Sequence, residues 1–185
     1  MIATRTLEGE KVQLVPERLE HAELLARWNA DPEVRHWLHR SEDPPALLTR
    51  DALAGKMREV WADPGEIRFV IEVDGGVPIG DIGLLGIHRA GRAEVSILIG
   101  ERSYWSRGYG ADALRTLCRF GFGELDLRRI TLIADADNAR GIASYLRCGF
   151  QHEGVLRAHR LRYGKPIDMV GMAMLREEFA ALEGQ

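Results

Sequence analysis

The sequence contains few of the residues from which metal centres and disulfide frameworks are built. Its 185 residues include two cysteines, Cys118 and Cys148. They form neither a Cys-x-x-Cys pair nor a cluster with histidines at the spacing of a zinc site. We therefore predict no metal site, and we expect both cysteines to be buried thiols.

Long apolar runs and an excess of positive charge are also missing. No run approaches the roughly 20 apolar residues of a membrane-spanning helix, and residues 1–5 lack the apolar core of a signal peptide. With 25 Lys and Arg against 28 Asp and Glu, the formal net charge is −3. These absences argue against a membrane protein and against a nucleic-acid partner held by a general basic field. The expected location is the reducing cytoplasm.

What is present is the composition of one ordinary globular domain, predicted to span residues 1–185. Hydrophobic residues make up 45% and charged residues 29%, which allows a buried core beneath a polar surface. The periodicity predicts strands at 11–15, 69–73, 79–85, 93–99, 129–134, 154–163 and 168–175, and helices at 20–30, 45–61, 110–122 and 138–148. Strands first, followed by alternating strands and helices, indicate an α/β fold with a mixed sheet.

A glycine-containing loop precedes the predicted helix at 110–122. Its sequence is Trp105-Ser106-Arg107-Gly108-Tyr109-Gly110-Ala111. Glycines let a ligand approach the backbone closely, and the free N–H groups of a helix start, with about +0.5 charge from the helix dipole, favour an anion. Arg107 adds a cation, so a pyrophosphate is the predicted ligand. The loop matches neither a Walker loop nor a full Rossmann fingerprint, and a helix cap with a tight turn is the alternative interpretation.

Three further residues are candidates for chemistry, and each has a structural alternative. Asn138 stands at a predicted helix start, where it either caps the helix or hydrogen-bonds an extended ligand. Tyr145 lies beside the apolar stripe of that helix. Its hydroxyl, with an ordinary pKa of about 10, could protonate a leaving thiolate, or the ring is simply half-buried. Glu94 is a carboxylate within an apolar strand, which is either solvated at an edge or held as a general base for an amine.

These motifs occur together and in order, and in that combination they closely resemble the GNAT superfamily of N-acetyltransferases over residues 12–175. The segments that carry the resemblance are Ala93-Glu94-Val95-Ser96-Ile97-Leu98-Ile99-Gly100, Tyr104-Trp105-Ser106-Arg107-Gly108-Tyr109-Gly110, Asn138 and Tyr145-Leu146-Arg147-Cys148-Gly149-Phe150. Tyr104-Trp105 and Trp28-Asn29-Ala30-Asp31-Pro32-Glu33-Val34 resemble the RimJ/RimL branch, which acetylates N-termini of ribosomal proteins and also includes spermidine and antibiotic acetyltransferases. Trp105 stands where the family often has Gln or Arg, and Gly141 stands where alanine is more usual.

The resemblance implies a GNAT fold, a central and mostly antiparallel sheet with flanking helices. The sheet would be splayed between its fourth and fifth strands, here 94–99 and 129–134. Acetyl-CoA, the implied co-substrate, would lie in that gap, with its pantetheine along the strand backbone, its pyrophosphate on the glycine loop and its sulfur near Tyr145. The implied binding residues are Ile97, Leu98, Ile99, Trp105, Ser106, Arg107, Gly108, Tyr109, Gly110, Ala111, Asn138, Arg140 and Tyr145.

The implied reaction is the direct attack of an uncharged amine on the thioester, with Glu94 and Tyr145 as catalytic residues. Glu94 accepts the amine proton, Tyr145 donates to the thiolate, and a backbone N–H near Leu98 or Ile99 stabilises the oxyanion. A protein N-terminal α-amine is the predicted acceptor. The alternatives are a polyamine, an aminoglycoside, an amino acid, a longer acyl donor, or a non-catalytic acyl-CoA-binding module. Dimers are common in the branch, so a homodimer is also expected.

The predicted closing hairpin is rich in basic residues. It carries Arg157, His159, Arg160, Arg162 and Lys165. These residues form either a solvated strand face or a surface for an acidic peptide or acyl group. They would suit a polycationic acceptor poorly.

Overall fold

The computed structural model describes residues 4–38, 42–73 and 75–184. Over these ranges the chain forms eight strands and six α-helices. The strands are β1 (Leu7–Glu8), β2 (Gln13–Pro16), β3 (Ile67–Val73), β4 (Val77–His88), β5 (Arg92–Ile99), β6 (Arg129–Asp135), β7 (Gln151–Arg162) and β8 (Lys165–Leu175). The helices are α1 (Ala22–Ala30), α2 (Pro32–His36), α3 (Arg50–Ala62), α4 (Tyr109–Gly123), α5 (Ala139–Arg147) and α6 (Arg176–Glu183).

All eight strands form one mixed sheet in the order β1-β2-β3-β4-β5-β6-β8-β7. Neighbours are antiparallel except β5 and β6, which run parallel and pair only over Arg92–Glu94 and Arg129–Thr131. Beyond Glu94 the two strands part, so the rest of β5 faces a gap. The predicted mixed sheet, mostly antiparallel and splayed between these two strands, is therefore confirmed.

Two hydrophobic clusters flank the sheet. The main core lies between the sheet and α4, with Leu114 and Leu117 fully buried against strand residues such as Ile82 and Leu84. A second cluster joins α1, α2 and α3 through Trp28, Val34 and Met57, among others, on the side of the sheet where β5 ends. Both cysteines are buried and free, as predicted, and burial raises the pKa of each thiol.

Helix boundaries in the first third of the chain differ from the prediction because two side chains, those of Asp31 and Thr49, cap the starts of helices. Asp31-Pro32 was predicted to end a helix, yet Asp31 also starts α2, because its carboxylate accepts hydrogen bonds from the N–H groups of Glu33 (2.9 Å) and Val34 (3.4 Å). The predicted helix at 45–61 is broken at Thr49, which caps α3. Gly55 lies inside α3 and does not interrupt it. The sequence patterns also missed β1 and α6.

The strands predicted at 69–73 and 79–85, and those predicted at 154–163 and 168–175, each form a hairpin. The turn between β3 and β4 includes Gly75 and Gly76 at φ +82° and +100°, while residue 74 lies outside the described ranges. The predicted strands leave residues 164–167 for the turn of the second hairpin, whereas the observed turn between β7 and β8 is Tyr163-Gly164. Its left-handed residues are Tyr163 and Gly164, with φ of +52° and +73°. Strand β8 therefore begins three residues nearer to the turn than predicted, while β7 ends one residue before the predicted end at 163.

One buried carboxylate fixes the start of α4. Asp112 is 3% exposed and accepts hydrogen bonds from the backbone N–H groups of Glu10 (3.2 Å), Lys11 (2.7 Å) and Val12 (3.1 Å). The chain leading into β2 is thereby tied to the first turn of α4. Since the glycine loop runs directly into that turn, the same contact positions the loop.

A close contact between an indole and a glycine fixes the end of β5. A Cβ atom on Gly100 would lie 2.2 Å from the ring of Trp28, so only glycine allows this approach. The indole Nε1 of Trp28 donates to Glu101 Oε1 at 2.8 Å, and Arg27 pairs with the same carboxylate. Helix α1 is thus attached to the end of β5, beside the gap.

We expect Asp112→Ala to lower the free energy of unfolding by about 2–4 kcal/mol, because one buried and two partly buried N–H groups lose a charged acceptor. Urea unfolding followed by circular dichroism measures this loss. Asp51→Ala is the control, since the Asp51 side chain is 90% exposed, and it should change stability by no more than about 0.5 kcal/mol. Equal effects of the two substitutions would contradict the anchoring role of Asp112.

Candidate active site

Two cavities lie side by side along the gap in the described part of the chain. The loop cavity, about 480 Å³, is lined mainly by α5 and by residues 104–106, 108, 110 and 111, whereas the predicted ligand-binding residues Arg107 and Tyr109 are not part of its lining. The inner cavity, about 330 Å³, lies between α1, α3 and strands β3 to β6. Both volumes fall within the range of small-molecule sites. The two cavities share six lining residues: Trp37, Leu38, Ile97, Leu98, Asn138 and Tyr145.

The part of the loop cavity beside the start of α4 has the features of an anion site. Gly108 has φ +89° and precedes the first turn of α4, whose initial N–H groups have no partner within the helix. A Cβ on Gly108 would lie 3.3 Å from Lys11 Nζ, so a lysine that the sequence patterns did not single out adds positive charge beside the loop. Arg107 lies over the Tyr104 ring at 5.8 Å and donates to the Ser103 carbonyl.

Trp105 closes the side of the loop cavity nearest to β5. Its indole Nε1 donates to the Ile99 carbonyl at 2.6 Å. The guanidinium of Arg140 lies over the ring of Trp105, with its carbon 4.0 Å from the ring centre. The structure therefore brings Trp105 and Arg140 together with the β5 backbone.

The backbone of β5 alternates in the direction of its hydrogen bonds. The N–H of Gly100 donates to the carbonyl of Ile79 on β4 at 2.8 Å. Leu98 lies two residues before Gly100 and is paired with Asp81 on β4. Because every second residue of an antiparallel strand bonds to the same neighbour, the N–H and carbonyl of Leu98 are also directed toward β4. Those of Ile97 and Ile99 are directed toward the gap. Of the two predicted oxyanion donors, only Ile99 has its N–H on the gap side, and the expectation for the N–H of Leu98 is wrong because of this alternation.

Asn138 acts as a helix cap as well as a lining residue. Its Oδ1 accepts a hydrogen bond from Gly141 N at 3.0 Å, so the structural alternative is realised while the side chain still borders both cavities. A Cβ on Gly141 would lie 2.7 Å from Asn138 Nδ2. Glycine at 141 therefore makes room for the cap.

Tyr145 borders both cavities at their junction. Burial, with a smaller contribution from neighbouring Cys148, raises the pKa of Tyr145 to about 12. The phenol is therefore protonated at any physiological pH. No residue within the described ranges hydrogen-bonds to its hydroxyl, which leaves the donor available to a ligand.

Glu94 is the last residue of β5 to pair with β6, opposite Thr131. It lies where the strands part and lines the inner cavity. Partial burial raises the pKa of Glu94, and the neighbouring charge of His159 opposes that rise. The carboxylate is a stronger proton acceptor than an ordinary surface glutamate, as a general base requires.

Carboxylates outnumber cations around the inner cavity. The acidic lining residues are Glu17, Asp81, Glu94 and Asp135, and the basic ones are Lys56 and Arg68. Arg68 is itself paired with Glu66 (3.5 Å) and Asp81 (4.0 Å), and Lys56 contacts Glu59 at 3.4 Å. The lining of the cavity therefore has more carboxylates than cations, although Asp81 is paired with Arg68 and Asp135 with Arg160.

Two arginines of the basic hairpin are committed to internal ion pairs. Arg160 binds both carboxylate oxygens of Asp135, at 2.8 and 2.5 Å, and Asp135 is 2% exposed. Arg162 reaches Asp135 at 3.2 Å and also pairs with Asp137, and its hydrogen bond lowers the pKa of Asp137. For these two residues, both expected alternatives, a solvated face and a surface for an acidic ligand, are wrong.

No cluster of three or more potential metal ligands occurs within the described ranges. In the same part of the chain, no helix combines the length and the apolar character that crossing a membrane requires.

Comparison with known proteins assigns this arrangement to a family. The profile described as "Acetyltransferase (GNAT) domain" matches residues 11–151. An uncharacterised N-acetyltransferase of Bacillus licheniformis is 29% identical over 177 residues, covering 95% of this chain and 98% of that protein. Spermidine N(1)-acetyltransferase of Escherichia coli is 32% identical over 120 residues, 64% of this chain and 63% of that protein. A candidate ribosomal N-acetyltransferase of Bacillus subtilis is 27% identical over 150 residues, 77% and 78% of the two chains.

A solved structure shows the same fold. The spermidine N-acetyltransferase of Vibrio cholerae, crystallised with CoA and spermine, superimposes with a TM-score of 0.83 at 22% identity, covering 92% of this chain and 98% of that one. The matched segment 11–151 contains every residue that lines the two cavities. The chain therefore belongs to the GNAT acetyltransferase family, as predicted, and is an acyltransferase that takes its acetyl group from acetyl-CoA.

Proposed function

We propose that the protein transfers the acetyl group of acetyl-CoA to a primary amine at the junction of the two cavities. The observation that carries this proposal is that Tyr145 borders both cavities while Glu94 lies on the wall of only the inner one. The loop cavity suits the donor, with the pyrophosphate at residues 108–111. The pantetheine of acetyl-CoA would run along the edge of β5 that faces the gap. The inner cavity suits the amine.

The proposed chemistry uses Glu94 on the wall of the inner cavity and Tyr145 at the junction. The amine nitrogen attacks the thioester carbonyl, the C–S bond breaks with its electron pair going to sulfur, and Glu94 takes the proton that the amine loses. The N–H of Ile99 is placed to donate to the oxyanion. Because the pKa of Tyr145, about 12, lies well above that of a thiol at about 8.5, Tyr145 acts mainly as a hydrogen-bond donor to the departing sulfur.

The acidic lining of the inner cavity favours a small amine that carries a second positive charge. Glu17 is 9% exposed and accepts from Trp61 Nε1 at 3.1 Å, so one carboxylate is fixed deep in the wall. Since Arg160 and Arg162 are occupied by Asp135 and Asp137, the hairpin no longer argues against a polycation. The protein N-terminal α-amine predicted from the sequence is the second candidate. It accords with the RimJ/RimL features and with the Bacillus subtilis relative.

A non-catalytic acyl-CoA-binding module accounts less well for the site. Such a module has no need of a carboxylate whose pKa is raised at the opening of the gap, or of a phenol with a free donor at the junction. The RimJ/RimL assignment, the cytoplasmic location, the homodimer and the single domain over residues 1–185 stay predictions.

We expect Tyr145→Phe and Glu94→Gln each to lower kcat by about 10²–10⁴-fold, while calorimetry shows unchanged affinity for acetyl-CoA. Glu94 works as a base only when ionised, so wild-type kcat should fall as the pH drops through its raised pKa. Glu94→Gln should lack that acidic limb. Glu177→Gln, at an exposed position on α6, is the control and should behave as wild type. Full turnover by both active-site variants would refute these roles.

Acceptor choice is tested in two steps with the purified chain. Calorimetric titration with acetyl-CoA, with ATP and NADH as controls, should show binding of acetyl-CoA alone. Free-thiol release is then compared for a linear diamine, an ω-amino acid of equal length and a peptide with a free N-terminus. The acidic cavity predicts that the diamine has the highest kcat/KM and the amino acid the lowest. Fastest release with the peptide would instead favour the protein N-terminus.

A further inference from the structure

The aromatic side chain of Trp37 lies at the junction between the two cavities. Among the six shared lining residues, Ile97 and Leu98 belong to β5, and Asn138 and Tyr145 belong to α5 and its cap. The remaining two, Trp37 and Leu38, follow α2 directly and come from a different part of the chain. Trp37 has the largest side chain at the junction.

Trp37 is held in place from the opposite side of the gap. Its ring lies 5.7 Å from the guanidinium carbon of Arg162, and that guanidinium is fixed by Asp135 and Asp137. His36 packs edge-on against Trp37 at 4.6 Å and lies 5.9 Å from Tyr163 at the tip of the β7–β8 hairpin. The indole is thus clamped between α2 and the hairpin.

A second contact continues this clamp beyond the indole. Glu42 Oε1 accepts a hydrogen bond from Gly164 N, in the turn of the same hairpin, at 3.3 Å. The chain therefore meets the hairpin on both sides of residues 39–41, which lie outside the described ranges. A ring held by a cation, a second ring and flanking backbone contacts presents a fixed surface to the junction.

We propose that Trp37 is the specificity-determining residue for the length of the transferred acyl group, and that Arg162 is its positioning residue. This inference rests on the proposed function, in which donor and amine meet where the cavities join. The acyl group must lie at that junction, so each added methylene of a longer acyl chain meets the clamped indole. The protein should therefore use acetyl-CoA in preference to butyryl-CoA and longer donors.

The test compares kcat/KM for butyryl-CoA and acetyl-CoA with one saturating amine. Trp37→Ala should raise the butyryl to acetyl ratio by about 10-fold or more, since extra methylenes in a tight apolar site are worth about 10–200-fold. Arg162→Gln should raise the ratio by less, and Arg162→Lys should lie nearer to wild type. Trp37→Leu serves as a second variant should the alanine variant fold poorly.

Leu53→Ala is the matched control, because Leu53 is a buried residue that lines the inner cavity alone. It should change the KM for the amine and leave the acyl ratio as in wild type. An unchanged ratio in Trp37→Ala and Trp37→Leu, with acetyl-CoA still bound in calorimetry, would overturn the inference. Failure of the wild type to bind acetyl-CoA would instead overturn the proposed function, so the two failures are distinguishable.

Discussion

The site depends on the parting of β5 from β6. The two parallel strands share only the ladder from Arg92 to Glu94, and every later polar group on that edge of β5 lacks a strand partner. Backbone groups need hydrogen bonds, so the polar groups on this open edge must bond to side chains, to water or to a ligand. Trp105 satisfies one carbonyl, that of Ile99. The N–H groups of Ile97 and Ile99 are left for a ligand.

Several contacts from distant parts of the chain keep the gap open and shaped. Trp28 and Glu101 attach the second cluster to the end of β5. Asp112 fixes the start of α4 and with it the glycine loop. Asp135, on the far side of the gap, holds the hairpin through Arg160. Each anchor is a buried or half-buried polar group with well-defined partners, which gives the cavities fixed walls rather than mobile ones.

Features with a local physical cause could be predicted from the sequence. The alternation at 93–99, the glycine loop before an amphipathic helix, and Asn138 at a helix start each have a short-range explanation, and β5, α4 and α5 were found within one or two residues of their observed bounds. Features set by tertiary contacts could not. Lys11 reaches Gly108 across the fold, and Trp37 comes to the junction because α2 is capped by Asp31 at a place where Asp-Pro indicates an end.

Backbone direction and local polarity also lay beyond the sequence patterns. That Ile99 and not Leu98 presents its N–H to the gap follows from the β4–β5 register. The high pKa of Tyr145 follows from burial, and it changes the expected role of the phenol from a proton donor matched to the thiol to a persistent hydrogen-bond donor.

Backbone amide hydrogen exchange, followed by NMR with and without acetyl-CoA, tests the role of the open strand edge most directly. If the donor pairs with the free edge of β5, exchange at Ile97 and Ile99 should slow on binding. The amide of Leu98, already bonded toward β4, should change little. Binding of acetyl-CoA without selective protection of Ile97 and Ile99 would contradict the gap as the donor site.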